Sequence, residues 1–224
     1  RASSGRSKQL HGAKDYDAGT ALAAGSLYFY SRKSLRVARL IRESKRLHRE
    51  KDYDASLAAA TEACRLATVD GLSPSQQRSA LLHLAALHHA MDRFDDSLAT
   101  LEHIEAGVAD EIDLVSVLHA RAEVLETAGS SLARSAAELA RARDIRRRHS
   151  GPTSMDAGFA AFNLARVLAL QSQEAVGVPP RTASTKSAED SMALIQQAGS
   201  LALEAHGIAL AAGDARQAAA FVGQ

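Results

Sequence analysis

Ser44-Lys45-Arg46-Leu47-His48-Arg49-Glu50-Lys51-Asp52-Tyr53-Asp54-Ala55 occurs twice in this chain. Ser7-Lys8-Gln9-Leu10-His11-Gly12-Ala13-Lys14-Asp15-Tyr16-Asp17-Ala18 matches it at nine of twelve positions, 37 residues earlier. Self-similarity at a period of this size marks architectures whose units cannot bury their apolar face alone and must stack on their neighbours. The duplicated stretch itself reads as the end of one helix, a short polar turn at Lys51-Asp52-Tyr53-Asp54, and the start of another.

Working outward, Ser34 is expected to cap a helix running to about Glu50. Leu35, Val37, Ala38, Leu40, Ile41 and Leu47 are its apolar residues, and Arg36, Arg39, Arg42, Lys45, Arg46, His48 and Arg49 take the other faces. A separate helix is expected before it, from about Asp15 to Tyr30, with Gly19 and Gly25 each weakening it by roughly 1 kcal/mol. After the turn, Leu57, Ala60, Ala63, Cys64 and Ala67 recur at spacings of three and four, giving a helix to about Thr68 with a narrow, small-residue stripe. The two helices form an αα-hairpin.

The scheme returns downstream. Gly71-Leu72-Ser73-Pro74 breaks the chain. Leu81, Leu84, Ala85 and His88, followed by Asp92-Arg93-Phe94-Asp95-Asp96-Ser97-Leu98, then repeat the first hairpin at an offset of 41, with Phe94 for Tyr53 and an end at Gly107. A third pair is expected from about Ile112 to Thr127 and from Ser131 to Arg148, with Gly129 in the turn. Its first apolar face is Leu114, Val117, Leu118, Ala122 and Leu125; its second helix ends in cations, which the helix macrodipole favours.

These hairpins resemble the tetratricopeptide repeat. Lys51-Asp52-Tyr53-Asp54-Ala55-Ser56-Leu57 matches its Gly-Asp-Tyr-Asp-Glu-Ala type of turn, and Leu40, Ser44 and Leu47 fall where that pattern has large, small and large residues. The usual Trp is absent, the closing proline is displaced to Pro74, and Arg121 stands where the pattern prefers Leu. Gly151-Pro152 leading into Asn163-Leu164-Ala165 resembles the longer, roughly 42-residue variety found in kinesin light chains, without its loop His and first Asn.

The resemblance implies an all-α, right-handed α-solenoid of about four to five hairpins in a single domain over 1–224. The repeats are expected at 1–30 (partial), 34–70, 75–107, 111–150 and 154–206. Gly177, Pro179 and Pro180 lie in a loop insertion at 172–187, and a terminal helix is expected at 208–222. Because the first copy of the duplicated stretch begins in mid-helix, the solenoid is expected to start upstream of residue 1.

Composition agrees with this fold. Ala and Leu dominate an apolar fraction of 46%, Trp is absent and aromatics are 4%; both favoured residues are strong helix formers. A formal net charge of +1 argues against holding nucleic acid by bulk electrostatics. Six lysines leave 21 arginines among 27 basic residues, a bias that genome composition or fixed contacts to carboxylate or phosphate would each produce. The single cysteine, Cys64, excludes an intrachain disulfide and a cysteine-rich zinc site. No run approaches the ~18 apolar residues of a membrane span. Residues 1–7, Arg- and Ser-rich without acids, resemble the tail of a mitochondrial or plastid transit sequence, and truncation is an equal account.

The nine histidines form no His-Glu-x-x-His motif, and no Gly-rich phosphate loop, nucleophile elbow or paired-carboxylate motif occurs. The expectation is therefore no enzyme, no cofactor and no metal. In the tetratricopeptide family the first helix of each pair lines a groove. On this register the resemblance places Arg42, Lys45, His48 and Arg49 there, then His83 and His89, then His119, Glu123, Phe162, Asn163 and Arg166. Such a groove suits an acidic extended or helical segment of a protein partner within a hetero-oligomeric assembly. An alternative is an RNA-contacting subunit of an organellar ribosome or RNA-processing complex, using the polyanion candidates Arg141, Arg143, Arg146, Arg147 and Arg148. A third reading is a regulatory domain of a longer protein.

Overall fold

The computed structural model describes residues 17–176 and 185–214, with side chains described over 32–174 and 189–214. Among them are eight helices and no strand: α1 (Asp17–Arg49), α2 (Tyr53–Val69), α3 (Pro74–Ala90), α4 (Phe94–Ala106), α5 (Glu111–Thr127), α6 (Leu132–Ser150), α7 (Met155–Val176) and α8 (Thr185–Ala211). They divide into two compact units, one reaching to Ala80 and the other starting at Leu81.

In the first unit the two helices expected at 15–30 and 34–50 are one, α1. Ser31-Arg32-Lys33-Ser34 contains neither Gly nor Pro to stop a helix, and the Ser34 hydroxyl, rather than capping, accepts from the Gln76 Nε2 amide at 2.6 Å. The α1–α2 turn is closed by Lys51 in the left-handed region at φ 63°. There the Lys51 amide donates to the His48 carbonyl and the Asp52 amide to that of Leu47, satisfying two carbonyls that the helix end leaves open. Asp52 then caps α2 through the Ala55 amide. Four residues into α2, the buried Ser56 hydroxyl donates across the hairpin to the Ser44 carbonyl at 2.8 Å. Only small side chains fit that crossing. Val37, Ala63, Leu66, Ala67, Leu72 and Ala80 complete the apolar core of this unit.

The second unit repeats these devices. Asp92 (φ 56°) and Gly129 (φ 61°) close α3 and α5 with the same hydrogen bonds to the carbonyls three and five residues back. The Ser97 hydroxyl donates to the Ala85 carbonyl at 2.8 Å, as Ser56 does to Ser44, and Ser135 is fully buried at the matching place in α6. The register of the third pair follows: Ala122, seven residues before its left-handed residue, matches Ser44 and Ala85. The α5–α6 turn is one residue longer than the other two, which is why a fixed offset in the sequence loses it.

Each buried residue of α5 has a buried counterpart 43 positions on in α7: Leu114 with Ala157, Val117 with Ala160, Ala122 with Ala165, Leu125 with Leu168. The Arg121 position is held by Leu164 in α7. The two helices are thus equivalent, α7 continuing past the point where α5 turns. Against α7, Ile208 of α8 comes so close that a Cβ on Gly158 would lie 3.2 Å from Ile208 Cγ2.

The insertion expected at 172–187 is largely helical at its ends, since α7 continues to Val176 and α8 starts at Thr185; residues 177–184 lie outside the described residues. α8 also continues through Gly207 to Ala211 instead of ending there, because an isolated Gly costs a helix only about 1 kcal/mol and Leu201, Ala205, Ile208 and Ala209 are buried beneath it. Residues 215–224, which include most of the expected terminal helix, and residues 1–16, which carry the first copy of the duplicated stretch and the transit-like segment, lie outside the described residues. No described helix is long and apolar enough to cross a membrane.

Candidate interaction site

The left-handed residues Lys51, Asp92 and Gly129 give a common ruler for the first helix of each hairpin. Positions nine, six and two before them are spaced by three and four, so they share one helix face. That face holds Arg42, Lys45 and Arg49 on α1, His83, Ala86 and Ala90 on α3, and Ala120, Glu123 and Thr127 on α5. The 43-residue equivalence adds Asn163, Arg166 and Leu170 on α7. The sequence-based groove residues Arg42, His83 and Asn163 therefore stand at one repeat position, and Lys45 and Arg166 at another.

On α1 this face is cationic. Arg42, Lys45 and Arg49 are exposed, and among the described residues none of them has a carboxylate within ion-pair distance; the Arg49 Nε–H donates to the Lys45 carbonyl at 3.3 Å. Arg46, a quarter-turn away, is instead clamped by Glu43 and by Glu50, the latter at 2.7 Å. The same contacts hold the Glu43 carboxyl below its ordinary range, chiefly through the Arg46 hydrogen bond.

Two of the histidines of the predicted groove, His48 and His89, pack against aromatic rings. The His48 ring lies 5.3 Å from that of Tyr53 at 57°, and His89 lies 5.9 Å from Phe94 at 50°. One pair is the repeat of the other. Each ring pair spans the left-handed turn and stiffens it. Further along, Arg166 reaches Glu126 at 2.8 Å, whose carboxylate also accepts from the Ser135 hydroxyl at 3.1 Å. Two imidazoles, the buried His88 and the half-buried His119, are pushed down from the usual histidine range, mainly by loss of solvent and then by Arg93 and Arg146 respectively. Burial also pushes the Cys64 thiol up to about 11.

The arginines of α6 are placed differently from those of α1. Arg141 pairs with Glu105 of α4, Arg148 with Glu111 of α5, Arg146 with Asp156 of α7, and Arg143 and Arg147 both with Glu204 of α8. Arg121, whose side chain is 10% exposed, joins the same lattice through Glu105 and Glu138. Sequence reasoning could not supply these partners, which lie up to 61 residues away.

It also missed a depression of about 500 Å³ in the second unit, lined by Ala86, Ala90, Ala120, Leu101 and Val124 and by the carboxylates of Glu123 and Asp92. The signal for it was present. At the two positions where α1 has Lys45 and Arg49 and α7 has Arg166 and Leu170, α3 has Ala twice. Among the described residues no group of three His, Cys, Asp or Glu is placed to hold a metal.

Repeated turns, repeated hairpin crossings and matched burial define the chain as an all-α helical-repeat protein. Among solved structures it is similar to the crystal structure of BtubC (BKLC) from P. vanneervenii, at 16% identity and a TM-score of 0.49, over 87% of this chain and 88% of that one. No family model and no curated protein sequence matches.

Proposed function

We propose that this chain is a non-enzymatic interaction scaffold of tetratricopeptide-like hairpins, a subunit of a larger protein assembly, and that α1 recruits an acidic segment of a partner. The observation that carries this reading is the exposed row Arg42, Lys45 and Arg49, three cations on one helix face with no carboxylate paired to them among the described residues. Their seven-residue span is about 10 Å along the helix axis. Carboxylates one per turn on a partner helix, or three residues apart on an extended strand, match it.

The α6 pairing weighs against the RNA reading. A polyanion would have to displace Glu105, Glu111, Asp156 and Glu204 from Arg141, Arg143, Arg146, Arg147 and Arg148 before gaining them.

The test is a peptide-display selection on the immobilised chain at two salt concentrations. The wild type is expected to enrich Asp- and Glu-rich peptides, less so at high salt, where exposed charges are screened. Arg42→Glu with Lys45→Glu should abolish that enrichment while far-ultraviolet circular dichroism stays unchanged. Retention of the same peptides by the charge-reversed chain refutes the proposal.

A further inference from the structure

The depression on α3 and α5 is where two long side chains of the repeat are missing. At the positions six and two before the left-handed residue, α1 carries Lys45 and Arg49, whereas α3 carries Ala86 and Ala90, both exposed. The space left is about 500 Å³, ample for one long side chain. Its apolar lining combines the methyl groups of Ala86, Ala90 and Ala120 with the more deeply buried Ala85, Leu101 and Val124. Its border carries the carboxylates Glu123 and Asp92, both exposed, and neither has an ion-pair partner among the described residues. The nearest arginine along the chain, Arg93, is turned to Asp96 at 2.7 Å.

We propose that this slot binds an arginine or lysine side chain presented by a partner protein, with its aliphatic stem on the apolar lining and its cationic head at Glu123 and Asp92. Long cationic side chains bury their methylenes along apolar surface while the charged end stays among polar groups. The slot supplies both halves. Uncharged aliphatic side chains would satisfy the apolar lining and leave the two carboxylates unchanged, so the head group is what the slot selects. The site is distinct from the cationic row on α1, carries the opposite charge, and does not require that row to bind anything.

The test uses the full-length chain, labelled with ¹⁵N, titrated with the blocked pentapeptides Gly-Gly-Arg-Gly-Gly and Gly-Gly-norleucine-Gly-Gly. The arginine peptide is expected to produce saturable amide shifts centred on Ala86, Ala90, Ala120 and Glu123, and the norleucine peptide none. Glu123→Gln should weaken arginine binding about three- to fivefold, the range for an exposed ion pair. Ala86→Leu, which fills the slot from a solvent-facing position, should abolish it. Arg42→Glu with Lys45→Glu should leave it unchanged, so that loss of the α1 function and loss of this site are read separately. Equal binding of the two peptides, shifts centred elsewhere, or undiminished binding by Ala86→Leu would each overturn the proposal.

Discussion

Arg121 occupies a position that Leu164 fills in α7, and its replacement tests whether charge or volume holds that site. In the wild type its guanidinium, 10% exposed, reaches Glu105 on α4 and Glu138 on α6, at 27% and 19% exposure. Breaking a fully buried pair costs about 3–5 kcal/mol. Both carboxylates here keep some contact with water, and Glu105 retains Arg141 at 2.7 Å, so Arg121→Ala is expected to cost about 2–3 kcal/mol. Arg121→Leu restores apolar packing but leaves Glu138 without its arginine and Glu105 with Arg141 alone, and should cost about 1–2 kcal/mol. Adding Glu105→Gln and Glu138→Gln to it should recover most of that loss, because the partly buried charge at 138 and the half-satisfied one at 105 are then gone.

Urea unfolding followed by circular dichroism measures all four chains. An unchanged midpoint for Arg121→Ala, or a triple variant no more stable than Arg121→Leu, would refute the reasoning. Acid gives a second reading. The Arg121 hydrogen bond holds the Glu105 carboxyl below its ordinary value of 4.5. A carboxyl lowered in the folded state contributes stability that is full above its unfolded value and is lost as pH falls through the folded one. The stability gap between wild type and Glu105→Gln should therefore be widest above pH 4.5 and should narrow below it.

Two further outcomes follow from the hairpins. Ala85 is 1% exposed and its carbonyl accepts from Ser97 across the α3–α4 crossing; Ala85→Arg should cost about 3 kcal/mol or more through overpacking and a buried charge. Hydrogen exchange over α3 and α4 reads this out, and normal protection would show the hairpin register to be wrong. Lys51 and Asp92 are non-glycine residues held at φ 63° and 56°; Lys51→Gly and Asp92→Gly should each stabilise by about 0.5–1 kcal/mol. A melting temperature lower than wild type for either would contradict the left-handed geometry.

What could be read from the sequence was whatever depends on local spacing. The α1–α2 and α3–α4 hairpins share an offset of 41, so Ser44 with Ala85, Lys51 with Asp92 and Tyr53 with Phe94 were legible as pairs. The α5–α6 pair was legible as two helices but not in register, because one added turn residue and an arginine at a leucine position disguised it. The join of the first two helices into α1 was missed because Ser34 is a good cap only if its hydroxyl faces the amides after it; here Gln76, 42 residues away, claims it. The extension of α8 through Gly207 was missed for a related reason, since tertiary burial of Ile208 and Ala209 outweighs a weak glycine.

Charge was the least legible quantity of all. α1 and α6 are comparably rich in arginine, and a sequence offers no means of ranking one over the other as a ligand surface. The difference lies in what surrounds each helix. Among the residues described, α6 meets acidic side chains from α4, α5, α7 and α8, which pair with Arg141, Arg148, Arg146 and, through the one carboxylate of Glu204, both Arg143 and Arg147. Exposed pairs such as Arg148 with Glu111 add little stability, but they do settle where the positive charge is directed. On α1 the acids Glu43 and Glu50 both turn to Arg46, and the face three residues round is left to Arg42, Lys45 and Arg49. A cationic cluster becomes a candidate ligand surface when its counter-charges are spent elsewhere. By the same logic an acidic border becomes one when, as at Glu123 and Asp92, alanine stands on α3 at the positions where α1 carries Lys45 and Arg49.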